Sequence, residues 1–117
     1  MYVVVGGCRH FNDYDLVRQQ LDIILQPYLA LGITVLSGHC SGVDLLAERY
    51  AEERGYPIER HAADWARYGR AAGPIRNEQM VVRADCVIAF WDGKSRGTKS
   101  LISYAETHGK ELHIVSI

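Results

Sequence analysis

The chain has 117 residues, of which 48% are hydrophobic and 23% charged, with a formal net charge of −1. These are ordinary values for a soluble globular domain, and they exclude a global field that would draw the protein onto nucleic acid or an anionic membrane. One domain with one core is expected, and no apolar run reaches membrane-spanning length. The three cysteines, Cys8, Cys40 and Cys86, lack framework spacing, and the N-terminus "MYVVVGG" lacks the features of a leader, so a reducing cytoplasm is the expected setting.

In chain order, the first element is the apolar run "YVVV" (2–5), a strand. Residues 13–26 then place Val17, Leu21, Ile24 and Leu25 on one helical face, with Asn12 as the expected N-cap and Pro27 ending or kinking the helix. "ITVLS" (33–37) reads as a second strand. In 42–54, Val43, Leu46, Ala47, Tyr50 and Ala51 form an apolar stripe, with Glu48, Arg49, Glu52 and Glu53 assigned to water and Gly55 to the residue after the helix. "PIERHA" (57–62) reads as a third strand. A helix is predicted from Pro74, which suits a first helical position, to about Ala84. "CVIAF" (86–90), a helix over 98–108 with Leu101, Ile102 and Ala105 inward, and "LHIVSI" (112–117) complete the series.

Consecutive apolar positions in several strands suit a sheet covered on both faces, and strict alternation with helices implies right-handed parallel crossovers. The expected fold is α/β: a Rossmann-like domain with a parallel sheet of about five strands and helices on both faces.

In such sheets, ligands bind beyond the carboxyl ends of the strands. That rule gathers four segments at one edge: Gly6–Asn12, Ser37–Gly42, Ala63–Gly73 and Asp92–Gly97. Arg9, Arg67, Arg70, Arg76, Lys94 and Arg96 fall in or beside them, together with most of the glycines. Glycine allows close backbone approach, helix N-termini offer free N–H groups to anions, and arginine presents a planar fork to phosphate. A phosphate-bearing ligand is the physical expectation, set against the plainer reading that each loop is a tight turn with solvated arginines.

Two phosphate-site signatures are absent. "DGKSRGT" (92–98) contains GKS, but Ile88 stands where a phosphate loop requires its first glycine. Neither "GGCRHF" nor "GHCSGV" has the G-x-G-x-x-G spacing of a dinucleotide site. Cys8, His10, His39 and Cys40 follow the first two strands but lack metal-ligand spacing, so neither metal nor cofactor is expected.

"GGCRHF", "SGHCSGVD", "AADWARYGRAAGPIRNEQM" and "ADCVIAFWDGKSRGT", in this order over nearly the whole chain, resemble the YspA, cpYpsA-related branch of the SLOG superfamily. The superfamily also includes the Lonely Guy phosphoribohydrolases and DNA-processing protein A. The resemblance implies a Rossmann-like fold, a nucleotide or nucleotide-derived ligand, and a homodimer. "RNEQM" is similar to the Lonely Guy R-K-x-x-M motif at Arg76 and Met80, with Asn77 in place of lysine. "WDGKSRGTKSL" resembles P-G-G-x-G-T-x-x-E at Gly93, Gly97 and Thr98, with one additional residue between the glycines and Leu101 where the catalytic glutamate belongs. A carboxylate is needed there because glycosidic cleavage builds positive charge on the ribose. Asp44, Glu78 and Asp92 are the candidates to replace it. "SGHCSGVD" is similar to the S-G-x-x-x-G-x-D element of DNA-processing protein A.

The leading expectation is a site in which Gly6, Gly7, Ser37, Gly38, Gly42, Gly93, Gly97 and Thr98 cradle phosphate and ribose. Arg9, Arg76 and Arg96 would neutralise charge, Asp44 would accept from a sugar hydroxyl, and Asp64 and Trp65 would border the base. Asn77, Asp92 and Ser95 complete the candidate set. Two further readings stand beside it: a nucleoside-5′-monophosphate phosphoribohydrolase, and a single-stranded DNA module in which Trp65, Tyr68 and Trp91 would stack on bases.

Overall fold

The computed structural model describes residues 1–117. Five strands, β1 (Tyr2–Gly7), β2 (Thr34–Ser37), β3 (Ile58–Arg60), β4 (Cys86–Trp91) and β5 (Glu111–Ser116), form one sheet in the order β3-β2-β1-β4-β5. Every pairing is parallel; Val4, for example, lies between Leu36 of β2 and Val87 of β4. The helices are α1 (Tyr14–Leu25), α2 (Val43–Arg54), the single turn α3 (Trp65–Tyr68), α4 (Ala72–Arg83) and α5 (Arg96–Thr107).

Strand alternation divides the apolar residues between two layers. Val3, Val5, Val35, Ile88 and Phe90 point to one face, where Val17, Leu21 and Leu25 of α1 and Val43, Ala47, Tyr50 and Ala51 of α2 cover them. Val4, Leu36 and Val87 point to the other, against Met80 and Val81 of α4 and Leu101 and Ala105 of α5. No helix is long and apolar enough to cross a membrane.

Several local expectations need correction. Asp13, not Asn12, caps α1: its carboxylate accepts from the Leu16 N–H at 3.2 Å. The helix does stop before Pro27, which opens a 3-10 turn over Gln26–Leu31. α4 begins at Ala72, so Pro74 lies inside its first turn, where a missing N–H costs nothing. The segment 65–71, assigned to a loop, is α3 followed by a 3-10 turn, with Asp64 as the α3 cap. α5 starts two residues earlier than its apolar spacing indicates, capped by Ser95.

Glu48 does not face water. It is only 5% exposed and forms the centre of a polar cluster. The Ser37 hydroxyl donates to one of its oxygens at 2.8 Å, His39 Nδ1 lies 2.7 Å from that same oxygen, and Arg60 Nε donates to the other at 2.7 Å. Burial, the largest influence, pushes its pKa up, but these three partners together outweigh it and hold the carboxyl below its ordinary value. A glutamate one position from the apolar stripe reads as solvated until its partners from β2 and β3 are in place.

Candidate functional site

The chain runs outward from β1 through β2 to β3, then crosses back to place β4 on the other side of β1. The reversal opens a crevice at the carboxyl ends of β1 and β4, the position at which open α/β sheets take ligands. A cleft of about 130 Å³ lies there. Gly6, Gly7 and Arg9 come from the end of β1; Cys40 and Asp44 from the entrance to α2; Arg76, Asn77 and Met80 from α4; Ser95, Gly97, Thr98 and Leu101 from the start of α5.

Arg76 and Asn77 tie these walls together. Arg76 is 6% exposed. Its Nη1 donates to the Gly38 carbonyl at 2.9 Å and to the His61 carbonyl at 3.3 Å, and its Nε donates to Asn77 Oδ1 at 3.0 Å. Asn77 Nδ2 in turn donates to the Gly97 carbonyl at 3.2 Å, fixing the first turn of α5 against α4. Nη2, whose one hydrogen bond is a long one to Cys40 Sγ at 3.8 Å, is the part of the guanidinium with capacity left for a ligand.

Asp44, in the first turn of α2, is the carboxylate at the cleft. It accepts from the Cys40 N–H at 3.2 Å, and the Gly7 N–H also favours its charged form. Burial nevertheless dominates, pushing its pKa up to about 6 despite the nearby Arg76 cation. The group therefore titrates in the range where a carboxyl can give or take a proton.

At the start of α5 the Ser95 hydroxyl accepts from Thr98, by its N–H at 3.5 Å and its hydroxyl at 3.1 Å. The N–H groups of Arg96 and Gly97 precede any intrahelical acceptor and carry the positive end of the helix dipole. A Cβ on Gly97 would meet nothing within 4 Å, so neither packing nor backbone conformation demands glycine there. The other glycines have internal reasons. A Cβ on Gly7 would lie 2.4 Å from the Phe90 carbonyl oxygen, and one on Gly38 would lie 2.8 Å from Arg76 Nη1. Gly42 combines φ +80° with a Cys8 carbonyl oxygen 2.3 Å from the same point. Gly38 and Gly42 thus let the "SGHCSGVD" turn close onto Arg76 and the β1 loop; neither lines the cleft.

The remaining candidates fall outside the cleft. Ser37 is fully buried and engaged by Glu48 and the His39 N–H. Asp92 holds its own turn: N–H groups of Ser95 at 2.8 Å and Lys94 at 2.9 Å bind one oxygen and hold its carboxyl below the usual value. Gly93 supplies φ +80° within that turn, which Trp91 pins through Nε1 to the Ser95 carbonyl at 3.1 Å. Arg96 is exposed at the start of α5. Asp64 accepts from the Arg67 N–H at 3.1 Å, and Trp65, 52% exposed, packs over Gly73. Glu78 lies on the exposed face of α4, beside His108 at 3.2 Å, and is not part of the cleft.

The expected ligand-binding set omits Cys40, Met80 and Leu101, although the motif resemblance matches Met80 and puts Leu101 at the glutamate position. Met80 had a usable signal, being one helical turn beyond Arg76. Leu101 Cδ2 and Asp44 Oδ1 lie 2.9 Å and 3.6 Å from the point a Gly6 Cβ would occupy, so the apolar residue and the carboxylate flank one spot.

The family model described as YspA, cpYpsA-related SLOG matches residues 1–68. The chain is also 34% identical over 115 residues to the Gene 61 protein of Mycobacterium phage D29, an alignment spanning 92% of this chain and 90% of that protein. The chain belongs to the YspA, cpYpsA-related SLOG family. The family fold recurs in solved structures. DNA processing protein A from Streptococcus pneumoniae superimposes with a TM-score of 0.75 at 17% identity, over 97% of this chain and 49% of that one. DNA processing protein A from Helicobacter pylori, described for its single-stranded DNA binding mode, gives 0.69 at 20% identity, over 97% and 64%. The structural-genomics protein TM1055 gives 0.68 at 21% identity, over 95% and 71%. The chain therefore spans about half the length of the S. pneumoniae protein.

Proposed function

We propose that this SLOG-family chain binds the phosphate-bearing portion of a nucleotide or nucleotide-derived ligand in the β1–β4 cleft. The observation that carries the reading is Gly97, a helical glycine that no internal contact requires, facing a cleft with two arginines. Its N–H and that of Arg96 would bind phosphate oxygens. Arg9, exposed at the mouth, and Arg76 Nη2 would supply charge. At about 130 Å³ the cleft is smaller than pockets that enclose drug-sized ligands, roughly 300–1,000 Å³. It suits a sugar phosphate, with the base outside against the exposed ring of Trp65.

A second reading rests on Asp44. A cleft carboxyl with a pKa of about 6, beside the spot where Leu101 replaces the Lonely Guy glutamate, is positioned to stabilise positive charge on a ribose. Turnover of a nucleoside monophosphate would then use Asp44.

The test is a thermal-shift panel of AMP, CMP, ADP-ribose, ribose 5-phosphate and a short single-stranded DNA, followed by assay for released base. A ligand at a hundred times its Kd stabilises the native state by about 2.7 kcal/mol, several degrees for a domain of this size. A shift with the phosphate sugars supports the cleft reading, and base release supports Asp44 chemistry. A shift with DNA alone, or with none of the panel, counts against both.

A further inference from the structure

Far from the cleft, at the start of β4 and β5, the ligand atoms of Cys86, Glu111 and His113 all lie within 4.8 Å of one another. Cys86 and Glu111 are direct partners in the β4–β5 register, and His113 follows two residues on, so the pleat turns all three to the same face. Further along that face of β5, Val115 and Ile117 pack against the core; at 111 and 113 the apolar pattern gives way to a carboxylate and an imidazole. The change occurs opposite the only cysteine in the sheet.

The geometry points to a binding site for a zinc-class divalent cation, formed by Cys86 Sγ, one oxygen of Glu111 and Nε2 of His113. Glu111 Oε2 and His113 Nε2 are 3.1 Å apart. Two ligands each about 2.0–2.1 Å from a tetrahedral zinc are separated by about 3.3 Å. The Tyr28 hydroxyl, from the 3-10 turn after α1, donates to Glu111 Oε1 at 2.6 Å. It orients the carboxylate so that Oε2 is the atom turned to the imidazole, as outer hydrogen bonds do for metal ligands. Cys86 is fully buried, whereas the Glu111 and His113 side chains are 41% and 37% exposed, giving the ion a route from solvent and leaving the fourth position to water. Thiolate, imidazole and carboxylate together suit zinc better than calcium or magnesium. Binding replaces the Cys86 S–H bond with a sulfur–metal bond and releases the proton to solvent. The ion would fasten edge strand β5 to β4 and to the turn carrying Tyr28. This site is independent of any ligand in the cleft.

Titration of the full chain with Co²⁺ under reducing conditions tests the site, because thiolate coordination to cobalt gives a charge-transfer absorption. One equivalent should saturate that band, and Zn²⁺ should displace it. Cys86→Ser should abolish the band, His113→Ala on the exposed edge should weaken binding at least tenfold, and Tyr28→Phe should weaken it about tenfold. Cys8→Ser and Cys40→Ser should leave it intact. Absence of the band in the wild-type chain overturns the proposal, as does a band lost with Cys8 or Cys40. Unchanged affinity in His113→Ala, which spares the buried thiol and so the core, overturns it too.

Discussion

Asn77 Nδ2 donates to the Gly97 carbonyl across 3.2 Å while Asn77 Oδ1 accepts from Arg76 Nε at 3.0 Å. One amide thus links the buried arginine to the helix start at which a phosphate would bind. The link also gives Arg76 a structural duty beside any ligand duty.

For that reason Arg76→Ala is expected to destabilise the fold as well as weaken binding. It removes the guanidinium donor from the buried Gly38 carbonyl and the partly buried His61 carbonyl, at about 1–3 kcal/mol for the buried one. Denaturant unfolding would register the loss. Arg9→Ala separates the two effects: unfolding should be unchanged, while phosphate-ligand affinity falls about tenfold to a hundredfold by isothermal titration.

Gly97→Ala and Gly42→Ala should act in opposite directions. The first removes a flexible residue from a helix without a clash and should stabilise by about 0.5–1 kcal/mol while impairing ligand affinity. The second forces a side chain into φ +80° and onto the Cys8 carbonyl, and should cost at least about 1–3 kcal/mol. Paired melting curves and titrations check both.

Asp44 gives the protein an unusual pH response. Its folded-state pKa lies above the ordinary 3.8, at about 6, so the native state holds that proton more tightly than the unfolded chain. Its contribution to stability is complete below pH 3.8 and is lost as the pH rises through about 6, a change of about 3 kcal/mol. Paired carboxyls with lowered values, such as Glu48 and Asp92, act in the opposite sense at lower pH. Asp44→Asn isolates the effect: the stability difference between variant and wild type should move in favour of the variant between pH 4 and pH 7.

Glu48→Ala should remove the shared acceptor of Ser37, His39 and Arg60. Ser37 is fully buried, so its hydroxyl would lose its acceptor, and a loss of about 1–3 kcal/mol is expected in urea unfolding. Because Glu48 is outside the cleft, affinity for a phosphate sugar should change much less than in Arg9→Ala.

The alternation of Val-rich runs with helical stripes made the sheet and its two layers legible, since both periodicities are local. The convergence of Gly6, Asp44, Arg76 and Thr98 followed from topology alone. What escaped was set by contacts distant in sequence. Glu48 reads as surface until Ser37 and Arg60 are beside it, and α3 is a single turn, too short for any periodicity. Gly38 and Gly97 look alike in the sequence, yet one makes room for Arg76 and the other borders open space. Leu101 was legible as a buried helical residue, but its place on the cleft wall depends on Gly6 lacking a side chain.

A phosphate site at the β1–β4 edge is tested most directly by a titration of the ¹⁵N-labelled chain with AMP and ribose 5-phosphate, followed by amide chemical shifts. Saturable shifts centred on the N–H groups of Gly6, Gly7, Arg96, Gly97 and Thr98, and weakened in Gly97→Ala, are predicted. Saturable shifts elsewhere on the molecule, or none with either ligand, would contradict it.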